Sequence, residues 1–309
     1  MKYAAAIDIG GTNTRIAIVS QDYSITQRIQ FPTDANNPYA TMDRIVEVLS
    51  SYGHAFSGIG LSCPGPLDLK SQKILTPPNL HGEWHHLEIA HLLQQKTNVP
   101  VYLDNDANLA GYAEAIIGEG KDMNIVQFFT ISTGFGAGLV INREIVHGSH
   151  GFANEVANTI VMPDGPSHGD IVPGGIEAVC SGTAIETRAR KAGLDVHHAG
   201  EVNDLALAGN EHASKIMLDA KVCLANYLAG VQAYIDPDII ILGGSVAMQI
   251  NGFVQEREAI VKAKVYRVTR SFFNIRKSTL GEDGGLLGAA CLCFEKEHYT
   301  CKHARNGVH

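Results

Sequence analysis

The chain has 309 residues, more than one small hydrophobic core usually fills, so two lobes are expected. Hydrophobic residues at 45% and charged residues at 18% are typical of a globular protein. A formal net charge of −8 without any run of Lys or Arg argues against a nucleic-acid partner, and no apolar run approaches the span of a bilayer. Six scattered cysteines indicate reduced core residues and a cytoplasmic protein.

The first predicted element is a hairpin, in which an apolar strand enters a glycine-rich turn and leaves as a second apolar strand. It spans residues 3–19, which read YAAAIDIGGTNTRIAIV. Glycines at such a turn let backbone N–H groups approach an anion closely, and the Thr12 hydroxyl adds a donor. Asp8, inside the turn motif, could position magnesium against phosphates. The competing interpretation is a purely conformational hairpin.

An α/β pattern follows along the chain. Helical spacing predicts helices over residues 39–51, 87–96 and 107–117, and strands are expected at 58–62 and 99–103. Further along, helices are predicted at 182–192, 212–234 and 285–294, with a strand at 239–242. Residues 295–309 are polar and are expected to be loosely ordered.

A group of carboxylates follows the strand at 99–103, in the segment LDNDAN. Asp104, Asn105 and Asp106 stand at the end of that strand and lead into a helix, the position where α/β sheets commonly meet ligands. The alternative is that Asp106 only caps the helix, because Asp and Asn favour N-cap positions.

A second glycine-rich hairpin is predicted at residues 126–141, which read VQFFTISTGFGAGLVI. Two such turns can grip one polyphosphate, which predicts a nucleotide cleft between two related halves. A third segment, DPDIIILGGSV at residues 236–246, is a buried strand that ends in two glycines, where a flat ring or a helix N-terminus could meet bare backbone.

The motifs together resemble the ROK sugar kinases. They are DIGGT at 8–12, LDND at 103–106, STGFGAG at 132–138 and DPDIIILGG at 236–244, in the order of that family. The resemblance implies an α/β protein with the two-lobed actin-like ATPase fold, a duplicated ribonuclease H-like unit around a central cleft. It also implies transfer of the γ-phosphoryl group of ATP to a sugar hydroxyl, expected at C6 of a hexose or hexose derivative.

The resemblance implies the following organisation. A smaller N-terminal lobe is expected over residues 1–118, with a helix at about 285–300 packing back on it, and a larger lobe over residues 119–284. A homodimer is implied as well. The expected partners are a small-molecule sugar and ATP, with magnesium as the metal and neither nucleic acid nor membrane.

The resemblance also assigns the site residues. Asp106 is the implied general base, and Asn105 is implied to bind an adjacent hydroxyl. The remaining implied sugar ligands are Asn79, Glu155, Asn158 and Glu177, although an isolated Glu is ordinarily an exposed surface charge. The implied nucleotide and magnesium contacts are Asp8 (through water), Gly10, Gly11, Thr12, Thr133, Gly134, Gly136, Gly243 and Gly244.

One motif departs from the family. Most members have a zinc site built from a His three residues after the first Glu and a CxCGxxGC block before the second. Here Asn158 stands at the His position, and His168, Asp170 and Gly175 stand at the Cys positions. Since structural zinc needs four good N or S ligands, we expect none, and His168 with Asp170 could at most hold a metal loosely.

The substrate and the class stay open at this point. The family's His helps to define the sugar pocket, so the Asn158 substitution leaves N-acetylmannosamine and β-glucosides as alternatives to glucose. A sugar-binding regulator without catalysis is the alternative class, because the family includes repressors. Those repressors carry a helix-turn-helix ahead of the first phosphate motif, where this sequence has only Met1 to Ala4, so the DNA-binding element is not expected here.

Overall fold

The computed structural model describes residues 2–53 and 55–306. They form two compact units. The first unit contains residues 1–117, 146–153 and 282–309, and the second contains residues 118–145 and 154–281.

The first unit is built on a five-stranded sheet with the order β3-β2-β1-β4-β7. Strands β1, β4 and β7 are parallel, whereas β2 pairs antiparallel with both β1 and β3. The strands are β1 (Tyr3–Ile9), β2 (Asn13–Ser20), β3 (Ile25–Pro32), β4 (Ile59–Cys63) and β7 (Val101–Asn105), with a separate small ribbon of β5 (Leu67–Asp68) and β6 (Lys73–Ile74). The helices of this unit are α1 (Pro38–Ser51), α2 (Ile89–Thr97), α3 (Asp106–Ile116) and α10 (Gly284–Asn306).

Close backbone contacts hold α10 in the first unit. A Cβ on Gly60 of β4 would lie 1.9 Å from the carbonyl oxygen of Ala289, and one on Gly288 would lie 1.9 Å from that of Leu109 in α3. Any side chain at either glycine would therefore collide with backbone. The buried start of α10 is thereby packed directly against β4 and α3.

The second unit contains another five-stranded sheet, with the order β10-β9-β8-β11-β12. Its strands are β8 (Ile125–Ile131), β9 (Phe135–Ile141), β10 (Glu144–Ile145), β11 (Ile239–Gly243) and β12 (Ile275–Lys277). Its helices are α4 (Ile176–Cys180), α5 (Gly182–Lys191), α6 (Ala199–Leu207), α7 (Glu211–Tyr234), α8 (Gly244–Gln249) and α9 (Phe253–Lys264). Short 3₁₀ turns occur at Gly82–Trp84, Arg267–Thr269 and Gly281–Asp283.

The two sheets share one topology. In each, the five strands taken in chain order lie 3-2-1-4-5, the first two form an antiparallel hairpin, and the fourth and fifth run parallel to the first. Both glycine-rich hairpins predicted from the sequence are thus confirmed, and each stands at the same place in its sheet. The chain is a duplication of one supersecondary unit.

Two expectations differ from the structure. Residues 146–153, which the expected division put in the second lobe, belong to the first unit, since His147 is hydrogen-bonded to Asp104 of β7. The prediction of a loosely ordered tail is wrong for residues 295–306, because α10 continues to Asn306. A packed helix extends easily past its docked part, since each added residue gains a backbone hydrogen bond. Residues 307–309 lie outside the described residues.

Within residues 2–53 and 55–306, no helix has both the length and the apolar character needed to cross a membrane.

Candidate active site

Three polar side chains stand side by side at the carboxyl ends of parallel strands in the first unit. Asp8 of β1 is in register with Ser62 of β4, and Ser62 is in register with Asp104 of β7. Because β1, β4 and β7 are parallel, all three side chains lie at the same edge of the sheet. This is the edge of the sheet at which the sequence predicts ligand-binding carboxylates.

The Asp8 carboxylate is held by two neighbours. Ser62 Oγ donates to Oδ1 at 2.6 Å, while Arg15 donates to Oδ2 through Nε at 3.1 Å and Nη2 at 2.5 Å. Arg15 Nη1 also donates to the carbonyl of Glu282, at 2.9 Å, just before α10. Each carboxylate oxygen has more than one lone pair, so Asp8 can still accept a hydrogen bond from metal-bound water. Oxygen donors of this kind fit magnesium, which usually keeps several waters.

The first glycine-rich turn packs against Asn79. The Gly10 N–H donates to the carbonyl of Asn13 at 2.9 Å and closes the turn. A Cβ on Gly11 would lie 2.5 Å from Asn79 Cβ and 3.0 Å from its carbonyl oxygen. The structure therefore brings Asn79 next to this turn, and it explains the requirement for glycine at position 11 by packing.

Asn105 and Asp106 have different roles at the start of α3. Asn105 is the N-cap residue, and its Oδ1 accepts from the N–H groups of Ala107 at 2.9 Å and Asn108 at 3.2 Å. Asp106 is the first helical residue and is exposed, with Oδ1 accepting from Ala107 at 2.8 Å. The alternative interpretation of Asp106 as the helix cap is wrong, since Asn105 performs that role.

Asp104 is a buried carboxylate beneath this turn, with only 2% of its surface exposed. Its Oδ1 accepts from the Asn105 N–H at 2.8 Å and from Asn108 Nδ2 at 3.0 Å, and its Oδ2 lies 2.7 Å from His147 Nε2. Sequence reasoning missed His147, because the residue lies 43 positions beyond Asp104 in no recognised motif.

The Cys63 thiol is buried at the same sheet edge. Burial raises its pKa well above the ordinary value, and the carboxylates of Asp8 and Asp106 raise it further. Both effects disfavour the thiolate, so Cys63 is a packing residue rather than a nucleophile.

In the second unit, Glu177 contacts the second glycine-rich turn. Its Oε2 accepts from the Phe135 N–H at 2.8 Å, and a Cβ on Gly134 would lie 2.8 Å from the same oxygen. The Ser132 N–H donates to the carbonyl of Gly134 at 3.0 Å and closes the turn. One carboxylate oxygen of Glu177 therefore supports the backbone that contains Thr133, Gly134 and Gly136.

A hydrogen-bond relay also reaches this turn from the loop that contains His168. Thr183 Oγ donates to the carbonyl of Thr133 at 2.5 Å, and His168 Nε2 lies 2.9 Å from the same hydroxyl. Because the single hydroxyl proton of Thr183 goes to the carbonyl, His168 must be the donor to Thr183, which places its proton on Nε2. His168 thus supports Thr133 through Thr183.

The rest of that loop is also closed by hydrogen bonds. Asn158 Oδ1 accepts from the Val172 N–H at 2.9 Å, and Asp170 is exposed. Among the residues that the structure describes, no group of three or more His, Cys, Asp or Glu side chains could hold a metal ion. Asn158 therefore orders this loop through its amide oxygen.

Glu155 is an exposed residue in irregular backbone of the second unit. Partial desolvation by the surrounding protein raises the pKa of its carboxyl above the ordinary value, because it disfavours the charged form.

Gly243 and Gly244 end β11 and begin α8. Gly244 has φ +82°, and a Cβ there would lie 2.4 Å from the carbonyl oxygen of Ile131, whereas one on Gly243 would lie 3.0 Å from the ring of Phe128. The close approach predicted for these glycines is made by β8 of the same unit, and at Gly244 the positive φ favours glycine as well.

Comparison with known proteins identifies the family. The ROK family profile matches residues 4–296. An N-acetylmannosamine kinase from Escherichia coli O1:K1 / APEC is 32% identical over 291 residues, covering 93% of this chain and 97% of that protein. The structure of a ROK hexokinase from Thermus thermophilus matches with a TM-score of 0.85 at 27% identity, covering 96% and 99% of the two chains.

A ROK family glucokinase from Streptomyces griseus, solved with glucose and AMPPNP, matches with a TM-score of 0.75 at 25% identity and covers 95% and 99%. This chain belongs to the ROK family. The predicted fold class, the actin-like ATPase fold of ROK sugar kinases, is confirmed, as is the predicted class of enzyme, a kinase.

Proposed function

We propose that the chain is an ATP-dependent sugar kinase that phosphorylates a hexose or hexose derivative at its C6 hydroxyl. The observation that carries this proposal is the start of α3. There Asn105 caps the helix, and the exposed Asp106 carboxylate stands at the end of the sheet that also contains Asp8. N-acetylmannosamine is the first candidate substrate, because the E. coli relative is named a kinase of that sugar.

Asp106 acts as the general base. It accepts the proton of the sugar hydroxyl while that oxygen forms a bond to the γ-phosphorus and the bond to the ADP oxygen breaks. Asn105 binds a neighbouring hydroxyl through its amide N–H₂, since its Oδ1 caps α3. Asn79 contributes a further polar group beside the first turn.

Phosphate binding in the first unit is assigned to the turn of Gly10, Gly11 and Thr12. Asp8 holds magnesium through water and is itself fixed by Arg15 and Ser62. Bound magnesium would neutralise charge that develops on the phosphate oxygens. Arg15 keeps the carboxylate in one orientation, so the metal site is preorganised.

The second unit contributes further groups. Thr133, Gly134 and Gly136 are proposed to contact phosphate, supported by Glu177 and by the Thr183 relay. Gly243 and Gly244 are proposed to lie near the nucleoside. Glu155, Asn158 and Glu177 are assigned to sugar hydroxyls, and Glu177 has its second carboxylate oxygen for that contact.

Three further properties complete the proposal. No structural zinc is expected, because Asn158 accepts a hydrogen bond from the Val172 N–H and His168 is hydrogen-bonded to Thr183, where the resemblance puts the family's zinc ligands. A homodimer is proposed, and the exposed apolar side chains of Tyr266, Val268 and Phe272 are of the kind found at interfaces.

The cytoplasm is proposed as the location, in keeping with buried cysteines that form no disulfide, such as Cys63 and Cys180.

A coupled assay of ADP release tests the function. Purified protein with ATP and magnesium is offered N-acetylmannosamine, glucose, mannose, N-acetylglucosamine, allose, fructose and cellobiose in turn. One strongly preferred sugar supports the kinase and names its substrate. Sugar binding without ADP release, from folded protein, would contradict catalysis and favour the regulator.

Replacing Glu155 by Ala tests the sugar site. We expect the KM for the sugar to rise by roughly 10- to 150-fold and the KM for ATP to change little, since one hydrogen bond to a charged group is worth about 1.5–3 kcal/mol. Initial rates at saturating ATP measure the effect. Replacing the exposed Glu211 by Ala is the matched control, and an unchanged sugar KM in Glu155→Ala would remove Glu155 from the pocket.

A further inference from the structure

We propose that His147 is a positioning residue of the phosphoryl-transfer site, acting through the buried carboxylate of Asp104. The proposal rests on the assignment of Asp106 as the base. It concerns a residue outside the motifs on which the family resemblance depends.

The chemistry of Asp104 and His147 fixes the direction of the hydrogen bond between them. An ionised carboxylate only accepts hydrogen bonds, so His147 Nε2 must donate to Asp104 Oδ2 across the 2.7 Å contact. The Asp104 side chain is 3% exposed, whereas that of His147 is 37% exposed. The histidine therefore supplies a polar partner from the partly open side to a carboxylate that water hardly reaches.

The other oxygen of Asp104 holds the turn on which the proposed base stands. Oδ1 accepts from the Asn105 N–H and from Asn108 Nδ2, one residue before and two residues after Asp106. Asp104 thus fixes both flanks of Asp106. A buried carboxylate that loses one of its donors is strongly destabilised, and it relieves that cost by shifting or by taking up a proton.

The same contact explains the placement of residues 146–153. This short segment belongs to the first unit although the chain on both sides of it belongs to the second. The Ala153 N–H donates to the carbonyl of His147 at 3.1 Å, which folds the segment back on itself. His147 connects this segment to the end of β7 through its hydrogen bond with Asp104.

The test compares His147→Ala with His147→Gln. The Gln side chain can place an N–H donor close to the position of Nε2, so it should keep kcat within about threefold of wild type. His147→Ala should lower kcat roughly 10- to 100-fold, the size of effect produced by a misplacement of about 1 Å. The KM for ATP should stay within about twofold in both.

Two additional variants keep the test sharp. His150→Ala removes an exposed histidine from the same segment and should behave as wild type. Adding His147→Ala to Asp104→Asn should lower kcat by less than about threefold further, because a neutral amide no longer needs that donor. This comparison stays informative even if thermal unfolding shows that His147→Ala alone is poorly folded.

The outcomes separate this proposal from the assignment of the base. Wild-type kcat in His147→Ala, an equal loss in His147→Gln, or fully additive losses with Asp104→Asn would each overturn the positioning role. Asp106→Asn is measured alongside. If Asp106→Asn is inactive and His147→Ala is fully active, only the positioning proposal fails, whereas turnover by Asp106→Asn removes the base itself.

Discussion

Replacing Asp106 by Asn is expected to lower kcat by roughly 10²- to 10⁴-fold, the usual contribution of general acid–base catalysis. The amide has the shape of the carboxylate but cannot accept the hydroxyl proton. Since Asn105 caps α3, the helix should form normally in the variant. Steady-state rates give the loss of turnover, and calorimetric titration with the sugar should give a Kd within about threefold of wild type.

A matched control distinguishes catalysis from a general charge effect. Asp43→Asn removes an exposed carboxylate of the first unit that is paired only at the surface with Lys96, at 2.7 Å. Surface pairs of this kind contribute about 0–1 kcal/mol, so the control should keep wild-type kcat. Substantial turnover by Asp106→Asn, at a rate close to that of the control, would contradict the assignment of the base.

The second large effect is expected at Asp8. Asp8→Asn should lower kcat/KM for magnesium-ATP by about 10²- to 10³-fold, comparable to the loss of one preorganised electrostatic group. The variant leaves the Arg15 guanidinium without its carboxylate partner and weakens the hold on metal-bound water. A magnesium titration at fixed ATP should show the half-saturating concentration shifted upward.

The magnesium dependence separates two explanations for a loss at Asp8. If Asp8 acts through the metal, a high magnesium concentration should recover part of the activity of Asp8→Asn and none of that of Asp106→Asn. Equal magnesium curves for wild type and Asp8→Asn would assign Asp8 to the architecture of the Arg15 and Ser62 cluster alone. Manganese, which prefers similar oxygen ligands, provides an independent titration.

The elements that sequence reasoning predicted well are those whose pattern is local. Both hairpins are apolar strands broken by glycine, and the structure has them as β1–β2 and β8–β9. The predicted helix at 39–51 was accurate because Asn37 caps it and Pro38 occupies its first turn. Strand β3 was missed, since it is a mostly exposed edge strand with little apolar alternation.

The parts that sequence reasoning missed depend on contacts between distant residues. His147 meets Asp104 only because residues 146–153 return to the first unit, and no spacing rule encodes that return. Likewise, the choice between Asn105 and Asp106 as helix cap depends on which residue stops the helical backbone. Composition could not decide this, since both residue types favour the cap.

Some glycines of the predicted nucleotide-binding motifs are also required by packing within the protein. Gly11 and Gly244 stand in motifs associated with nucleotide binding, yet Asn79 and Ile131 respectively leave no room for a side chain at them. Tight packing and ligand approach both require glycine. Sequence alone cannot separate the two requirements, and contact with a nucleotide must therefore be measured directly.

The most direct measurement is ³¹P NMR of the wild-type protein with ATP, magnesium and N-acetylmannosamine, with glucose as the second sugar. We expect the γ-phosphate signal to disappear while ADP and one sugar phosphomonoester grow in equal amounts, with the phosphorus coupled to the C6 protons. Inorganic phosphate in place of the sugar phosphate, or ATP left unchanged with every sugar offered, would contradict the proposed kinase.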